Sequence, residues 1–189
     1  MNEVDIGTIY NELSGLKKEV YLLTSLQKIL DLKYKYFHLI DHFQYGRMGE
    51  VFTKDAYAVM GPYGALNGRD ELVEFFDEKV FPFFDIILHG GHNPQIQMTS
   101  DTTAKGTWMY EVYELTRENP PGSVWLCGLY QDEYRIEDGE WKISKLSGSY
   151  YFNTALETPF SRERFSPYPP GAPDLPNEFR ILRPAEPGK

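Results

Sequence analysis

Three side chains are of the types that transfer protons in enzymes: Tyr36 and Asp41 near the end of a predicted helix, and His92 before a predicted strand. A neutral imidazole is a suitable base near pH 7 for removing a proton next to a carbonyl or a phenol. We expect Asp41 to fix the tautomer of His92, and Tyr36 to hydrogen-bond a departing hydroxyl or an oxyanion. Proton removal with loss of a leaving group is a lyase reaction, which needs neither metal nor cofactor.

Each of these residues also has a structural interpretation. His92 lies in the Gly-rich run 90–94, which is equally typical of a turn. Asp41 could serve only as a hydrogen-bond partner at a helix end, and Tyr36 could be an ordinary core aromatic. We expect His89 to support the site rather than to react. A metal site from His89, His92 and Asp41 is weakly indicated because H-x-x-H in a Gly-rich loop is not specific, so we predict none.

An N-terminal helix must position the first two residues. Its apolar stripe, with spacings of three and four, consists of Ile6, Ile9, Leu13, Leu16, Val20 and Leu23. The stripe resumes one phase off with Leu26 and Leu30, which indicates a stammer or a helix break near residues 24–25. The stripe could lie on the body of the domain or on another subunit. We assign residues 1–24 to an oligomer contact and expect a homo-oligomer, either a dimer or a trimer.

The remaining elements indicate an α+β fold. A short strand over 56–60 and a helix over 67–80 precede strands of period two near 95–99, 104–116, 124–136 and 141–152, with a hairpin turn at 137–140. This order predicts helices packed on one face of a curved, mainly antiparallel sheet. The main domain is assigned to residues 25–153. Glu111 and Glu114 are expected on the outer face of the sheet.

Composition excludes several classes of function. The chain of 189 residues has a net charge of −9, which disfavours nucleic acid as a partner. One cysteine excludes a disulfide framework, and no apolar run is long enough to span a membrane. The first residues lack a secretory pattern, so we expect a cytoplasmic protein. Eight of the 13 prolines lie in residues 154–189, which are predicted to form an extended tail on the body or on a neighbouring subunit, unless the segment is disordered.

A series of short motifs identifies a family resemblance. They occupy residues 36–41, 67–70, 89–94, 103–108, 130–134 and 138–143. In this order and spacing the sequence resembles the SnoaL-like branch of the NTF2-like superfamily over about residues 20–153. The resemblance implies a cone in which helices and a strongly bent mixed sheet enclose a pocket. Family members include polyketide cyclases, scytalone dehydratase, bile acid 7α-dehydratases and ketosteroid isomerases, and others only bind proteins.

The bile acid dehydratases are the most similar in local pattern. In that comparison Tyr36, Asp41 and His92 fall on active-site positions. Two positions depart from the family, because its strand acid is replaced by Val112 and its last-strand arginine by Tyr150. The resemblance also implies that one strand face points into the cone, and that the pocket is lined by Trp108, Tyr110, Val112, Tyr150 and His89.

These observations favour a cofactor-independent dehydratase that acts on a hydroxylated aromatic or polycyclic small molecule. The many aromatic residues, 14 Tyr, 12 Phe and 3 Trp, agree with an aromatic pocket. An isomerase or cyclase would begin with the same proton abstraction. Two functions without catalysis also fit the sequence: a module that binds a small molecule, and a purely structural oligomer. The structural oligomer would require a cone that its own side chains fill completely.

Overall fold

The computed structural model describes residues 5–157, 162–165 and 176–181. Its first element is a single helix, α1 (Ile6–Asp41). Asp5 caps it, because the Asp5 carboxylate accepts a hydrogen bond from the Gly7 N–H at 3.0 Å. Of the two alternatives for residues 24–25, a stammer or a helix break, the break is wrong because the helix is continuous. The Thr24 hydroxyl bonds to the Val20 carbonyl one turn earlier at 2.7 Å, which accommodates this residue within a helix.

The two halves of α1 have different surroundings. Residues 6–24 are exposed, with one partly buried exception, and Ser25 is the first buried residue. The second half contacts the inside of the sheet, where Ile29, Tyr36, Phe37 and Ile40 are almost fully buried. The phase slip in the apolar pattern thus marks the point where residues of the helix begin to be buried in the domain.

A six-stranded mixed sheet forms the rest of the core. Its strands are β1 (Phe52–Val59), β2 (Ala65–Asn67), β3 (Phe84–Ser100), β4 (Thr103–Thr116), β5 (Ser123–Glu137) and β6 (Glu140–Ala155). The strand order is β2-β1-β6-β5-β4-β3, and only β1 and β6 are parallel. A short helix, α2 (Arg69–Phe75), continues into a π-helical turn (Phe76–Val80). The predicted α+β architecture is confirmed.

Three of the long strands, β4, β5 and β6, follow the predicted period of two. Along β4 the even-numbered residues from Ala104 to Val112 are buried, whereas the odd-numbered ones are more accessible. The turn between β5 and β6 is Asp138-Gly139, and both residues have positive φ, as a two-residue hairpin of the primed type requires. Residues 90–94 are strand rather than turn, because β3 runs through them with a bulge between His92 and Gln95.

Two described pieces of the C-terminal segment lie beside β6. The Ile181 N–H donates to the Tyr150 carbonyl at 2.7 Å, and the Asn153 N–H donates to the Arg164 carbonyl at 2.9 Å. These contacts provide partners for the end of β6 that β1 does not reach. The other predicted tail residues, 158–161, 166–175 and 182–189, lie outside the described residues.

Candidate active site

A histidine–aspartate pair joins the end of α1 to β3. The Nδ1 atom of His89 lies 2.6 Å from Oδ1 of Asp41, and the His89 backbone N–H donates to Oδ2 at 3.0 Å. Both side chains are largely buried, at 8% and 13% exposure. The carboxylate favours the tautomer with its proton on Nδ1, which leaves Nε2 free to accept a proton. This is the pairing expected of a general base and its orienting acid.

The predicted pairing of Asp41 with His92 is wrong. Along β3, His89 lies opposite Val112 on the inner face, whereas His92 lies opposite Met109 on the outer face. An odd separation along a strand puts two side chains on opposite faces. His92 is half-exposed, and its Nε2 lies 3.1 Å from a carboxylate oxygen of Glu111. His89, which was expected only to support the site, takes the position expected of His92.

Aromatic rings hold the imidazole of His89 in place. Phe37 stacks on it with a centroid distance of 5.2 Å, and Tyr36 meets it edge-on at 6.4 Å. The Phe37 ring has room only because residue 91 is glycine, since a Cβ there would lie 2.4 Å from Phe37 Cε2. Burial raises the pKa of Tyr36 well above its ordinary value, so its phenol stays neutral and can donate a hydrogen bond.

The histidine borders a cavity of about 160 Å³ inside the cone. Of the predicted site residues, Tyr36, His89, Tyr110, Val112 and Tyr150 lie in its wall. Further lining residues, which the sequence pattern did not single out, include Ile40, Met60, Tyr63, Phe75, Phe76, Lys79, Phe84, Ile87, Glu114, Leu126, Tyr130 and Asn153. The cone is therefore not filled by its own side chains, which argues against a purely structural role.

Trp108 does not line this cavity. It is fully buried, and its indole N–H donates to the Tyr134 hydroxyl at 2.9 Å, which in turn donates to Asp132 at 2.7 Å. Asp132 forms a buried ion pair with Lys33, with Nζ and Oδ2 2.8 Å apart. The predicted role of Trp108 in the pocket wall is thus wrong, because this indole belongs to a polar chain deeper in the cone.

Lys33 also supports the aromatic wall of the cavity. Its ammonium lies 3.8 Å from the centroid of the Tyr130 ring and 4.9 Å from that of Tyr36. Tyr130 in turn stacks on Tyr110, whose ring meets that of Tyr150 edge-on with a centroid distance of 6.3 Å. Burial raises the pKa of Tyr150 to about 12, so this phenol is also neutral at pH 7.

Glu114 is the second acid near the site, and its predicted place on the outer face is wrong. It lies in the cavity wall on the same face of β4 as Tyr110 and Val112. The even numbering that it shares with these residues is a signal that could have found it. Burial raises the pKa of its carboxyl to about 7, far above the usual value.

The donor set does not resemble a metal centre. Within residues 5–157, 162–165 and 176–181, no group of three or more His, Cys, Asp or Glu side chains could hold a metal ion. In the same ranges, none of the helices is both long and apolar enough to cross a bilayer. The arrangement combines an imidazole base, a phenol donor and a carboxyl group around an apolar cavity, which suits proton transfer to and from a small organic molecule.

Known proteins share this sequence pattern and this fold. The chain is 28% identical over 135 residues to hexachlorocyclohexane dehydrochlorinase 1 from Sphingobium indicum, covering 70% of this chain and 82% of that protein. A candidate scytalone dehydratase from Novosphingobium aromaticivorans is 20% identical with a TM-score of 0.68, covering 75% of this chain and 93% of its own.

The fold is also that of an NTF2-like superfamily protein from Salmonella enterica, with a TM-score of 0.62 and 17% identity over 68% of this chain and 92% of the other. The predicted NTF2-like cone is confirmed by these likenesses. The SnoaL-like domain family matches residues 22–147, two thirds of the sequence. This chain belongs to the SnoaL-like domain family.

Proposed function

We propose that the protein is a cofactor-independent lyase in which His89 removes a proton from a carbon atom and a group leaves from the neighbouring carbon. The observation that carries this proposal is the Asp41–His89 pair at the cavity wall. Asp41 holds the imidazole in the basic tautomer and stabilises the imidazolium that forms. Dehydrochlorinase relatives that share the family support an elimination reaction.

The cavity favours a small substrate. A cavity of ~150 Å³ holds a molecule the size of benzene, and the volume here is about 160 Å³. Phenyl and phenol rings line the space, so the substrate we propose is a single substituted ring. This choice is narrower than the aromatic or polycyclic class expected from the sequence. Tyr36, a neutral buried phenol, would donate a hydrogen bond to the oxygen on which negative charge develops.

The test uses ring compounds that lose a group next to an acidic C–H bond. 3-Chlorocyclohexanone, 3-hydroxycyclohexanone, scytalone and γ-hexachlorocyclohexane cover two leaving groups, and both one-ring and two-ring skeletons. Turnover is followed by enone absorbance, by chloride release and by product mass. We expect the wild type to convert at least one monocyclic compound, and His89→Ala to lower its kcat by roughly 10²- to 10⁴-fold.

His92→Ala is the matched control, since it removes the same kind of side chain three residues away on the outer face. We expect it to keep wild-type turnover within about twofold. Equal loss in both variants, or full activity in His89→Ala, would contradict the assignment. If compounds bind the wild type and none is converted, the protein is a binding module instead.

A further inference from the structure

Glu114 is a cavity carboxyl that the proton abstraction by His89 leaves without a role. Its side chain borders the cavity and makes no hydrogen bond or ion pair to any residue that the structure describes. Lys79 also lines the cavity, but no ion pair joins the two side chains. An unpaired carboxyl in such a place is unusual, because buried acids are normally paired or hydrogen-bonded.

The sheet register places Glu114 close to the base. His89 of β3 lies directly opposite Val112 of β4, and Glu114 is two residues further along β4 on the same inner face. Diagonal neighbours of this kind lie about 7–8 Å apart, with their Cβ atoms somewhat closer. Both side chains also line the same cavity, so both can reach one small substrate there.

We propose that Glu114 is the general acid of the reaction, so that the natural leaving group is a hydroxyl that departs as water rather than a halide. This inference rests on the proposed lyase function. His89 Nε2 takes the proton from carbon, and the electrons of that C–H bond form the new double bond. The neighbouring C–O bond breaks with its electron pair on oxygen, and the Glu114 carboxyl proton is transferred to that oxygen.

The products are an alkene, water, a Glu114 carboxylate and a His89 imidazolium. Transfer of one proton from the imidazolium to solvent and of another from solvent to Glu114 restores the enzyme. A chloride leaving group would not require this acid, because chloride departs as a stable anion. Hydroxide is a far poorer leaving group and needs protonation as the C–O bond breaks.

The surroundings of the carboxyl keep its proton available. Tyr63 and Tyr150 lie near it, while Phe84 and Leu126 add apolar surface to the same wall. No cation among the described residues forms an ion pair with Glu114, and burial raises the pKa of its carboxyl to about 7. A general acid is most effective when its pKa is close to the working pH.

The experiment compares two probes that differ only in the leaving group, 3-hydroxycyclohexanone and 3-chlorocyclohexanone. Both yield cyclohex-2-enone, so one absorbance assay serves both after subtraction of the uncatalysed rate. We expect Glu114→Gln to lower kcat for the hydroxy compound at least 100-fold, a far larger loss than for the chloro compound, whose conversion remains measurable. His89→Ala should lower both rates.

Chloro-compound turnover in Glu114→Gln shows that the variant is folded and that its base is intact. The inference is overturned if Glu114→Gln converts the hydroxy compound at the wild-type rate, if it loses both reactions equally, or if the wild type converts only the chloro compound. In the last case the lyase proposal still stands. A wild type that converts neither probe, nor any other compound of the panel, overturns the lyase function and the role of Glu114 with it.

Discussion

Asp41 holds His89 through both of its carboxylate oxygens, since Oδ1 bonds to the ring Nδ1 at 2.6 Å and Oδ2 accepts the backbone N–H at 3.0 Å. One residue at the end of α1 therefore fixes the position of β3 and the orientation of its imidazole. Because the same carboxylate makes both contacts, the geometry of the base depends on the packing of the helix end against the sheet.

Replacement of Asp41 by Asn should allow the other tautomer of His89 and remove the charge that stabilises imidazolium. We expect kcat to fall by roughly 10²- to 10⁴-fold while ligand binding changes little. Nitrogen-15 NMR of the histidine rings should show a proton moving from Nδ1 to Nε2. Glu111→Gln, which alters the partner of His92, is the control, and a comparable loss there would argue against a special role for Asp41.

The glycine pair 90–91 offers a test of the aromatic support. Gly91→Ala places a methyl group 2.4 Å from Phe37 Cε2, so the ring that stacks on His89 must move. We expect a loss of about 1–3 kcal/mol in the free energy of unfolding and at least a tenfold loss of turnover. Urea unfolding and steady-state kinetics measure the two effects.

Gly90→Ala provides the comparison on the other face. Its new methyl group would meet the side chains of His92 and Glu111 at 3.0 and 3.3 Å. These side chains are partly exposed and free to shift, so we expect the free energy of unfolding to change by no more than about 0.5 kcal/mol. Similar behaviour of the two variants would rule out the claim that Phe37 must approach the backbone at residue 91.

The buried pair of Lys33 and Asp132 should be essential to stability. Both side chains are inaccessible to solvent, and Lys33→Met leaves the Asp132 charge without its cation. Burial lowers the pKa of Lys33 and raises that of Asp132, which reflects the cost of each isolated charge. We expect Lys33→Met alone to lower the free energy of unfolding, measured in urea, by about 3–5 kcal/mol.

Adding Asp132→Asn to Lys33→Met should recover part of this loss, because the double variant contains no buried charge. The Asn side chain can still accept the hydrogen bond of Tyr134. A single variant that unfolds within about 1 kcal/mol of the wild type, or a double variant that is less stable than the single one, would show that the pair is not the source of the stability.

Glu114 should make stability depend on pH. Its folded pKa of about 7 lies above the ordinary value of 4.5, so the folded protein binds more protons between these pH values. With Glu114 protonated below pH 4.5, the free energy of unfolding has its full value. It falls as pH rises from 4.5 to about 7, and above that pH this group changes it no further. The difference corresponds to roughly 3 kcal/mol at most.

Glu114→Gln removes the cost of ionising this carboxyl in the folded protein. We expect the variant to exceed the wild type in stability at about pH 8 and to match it near pH 4.5, measured by urea unfolding at both values. Other titratable side chains that face the same cavity are the same in both proteins: His89, Lys79, Tyr36, Tyr63, Tyr110, Tyr130 and Tyr150. A variant that is less stable than the wild type at the higher pH would mean that the carboxylate has a stabilising partner.

We propose that a second copy of the chain covers the exposed stripe of α1. The stripe residues are all exposed, and their spacing of three and four residues is self-complementary between identical helices: Ile6, Ile9, Leu13, Leu16, Val20 and Leu23. Leu16→Glu with Val20→Glu should shift the molar mass from an oligomer to a monomer in light scattering. Lys17→Glu, which lies outside the stripe, should leave the molar mass unchanged. A monomeric wild type would contradict the proposal.

Local sequence patterns predicted much of the fold. Alternation of apolar and polar residues located β4, β5 and β6, and Asp138-Gly139 indicated the hairpin, because these signals depend only on near neighbours along the chain. The expected places of Tyr36, Asp41, Tyr110 and Tyr150 near a pocket followed from the family resemblance rather than from local patterns. Tyr36, Tyr110 and Tyr150 lie in the cavity wall.

Tertiary structure decided which histidine meets Asp41. His89 and His92 are chemically identical, and only the β3–β4 register shows that the first points inward and the second outward. The sequence suggested a turn at residues 90–94, in which the His92 side chain could have pointed inward. Because β3 continues through these residues, His92 points outward and cannot pair with Asp41.

Contacts between distant residues were equally beyond local patterns. Lys33 occupies a position in the helical stripe that suggested no partner, and its counter-ion Asp132 lies almost one hundred residues later on β5. Trp108 lies on the inner face of β4, as expected. Its indole N–H bonds to Tyr134 inside the cone instead of lining the cavity. Sequence periodicity determines the face on which a side chain lies. Strand register, helix placement and the cost of leaving a buried charge unpaired decide which buried groups meet inside the cone.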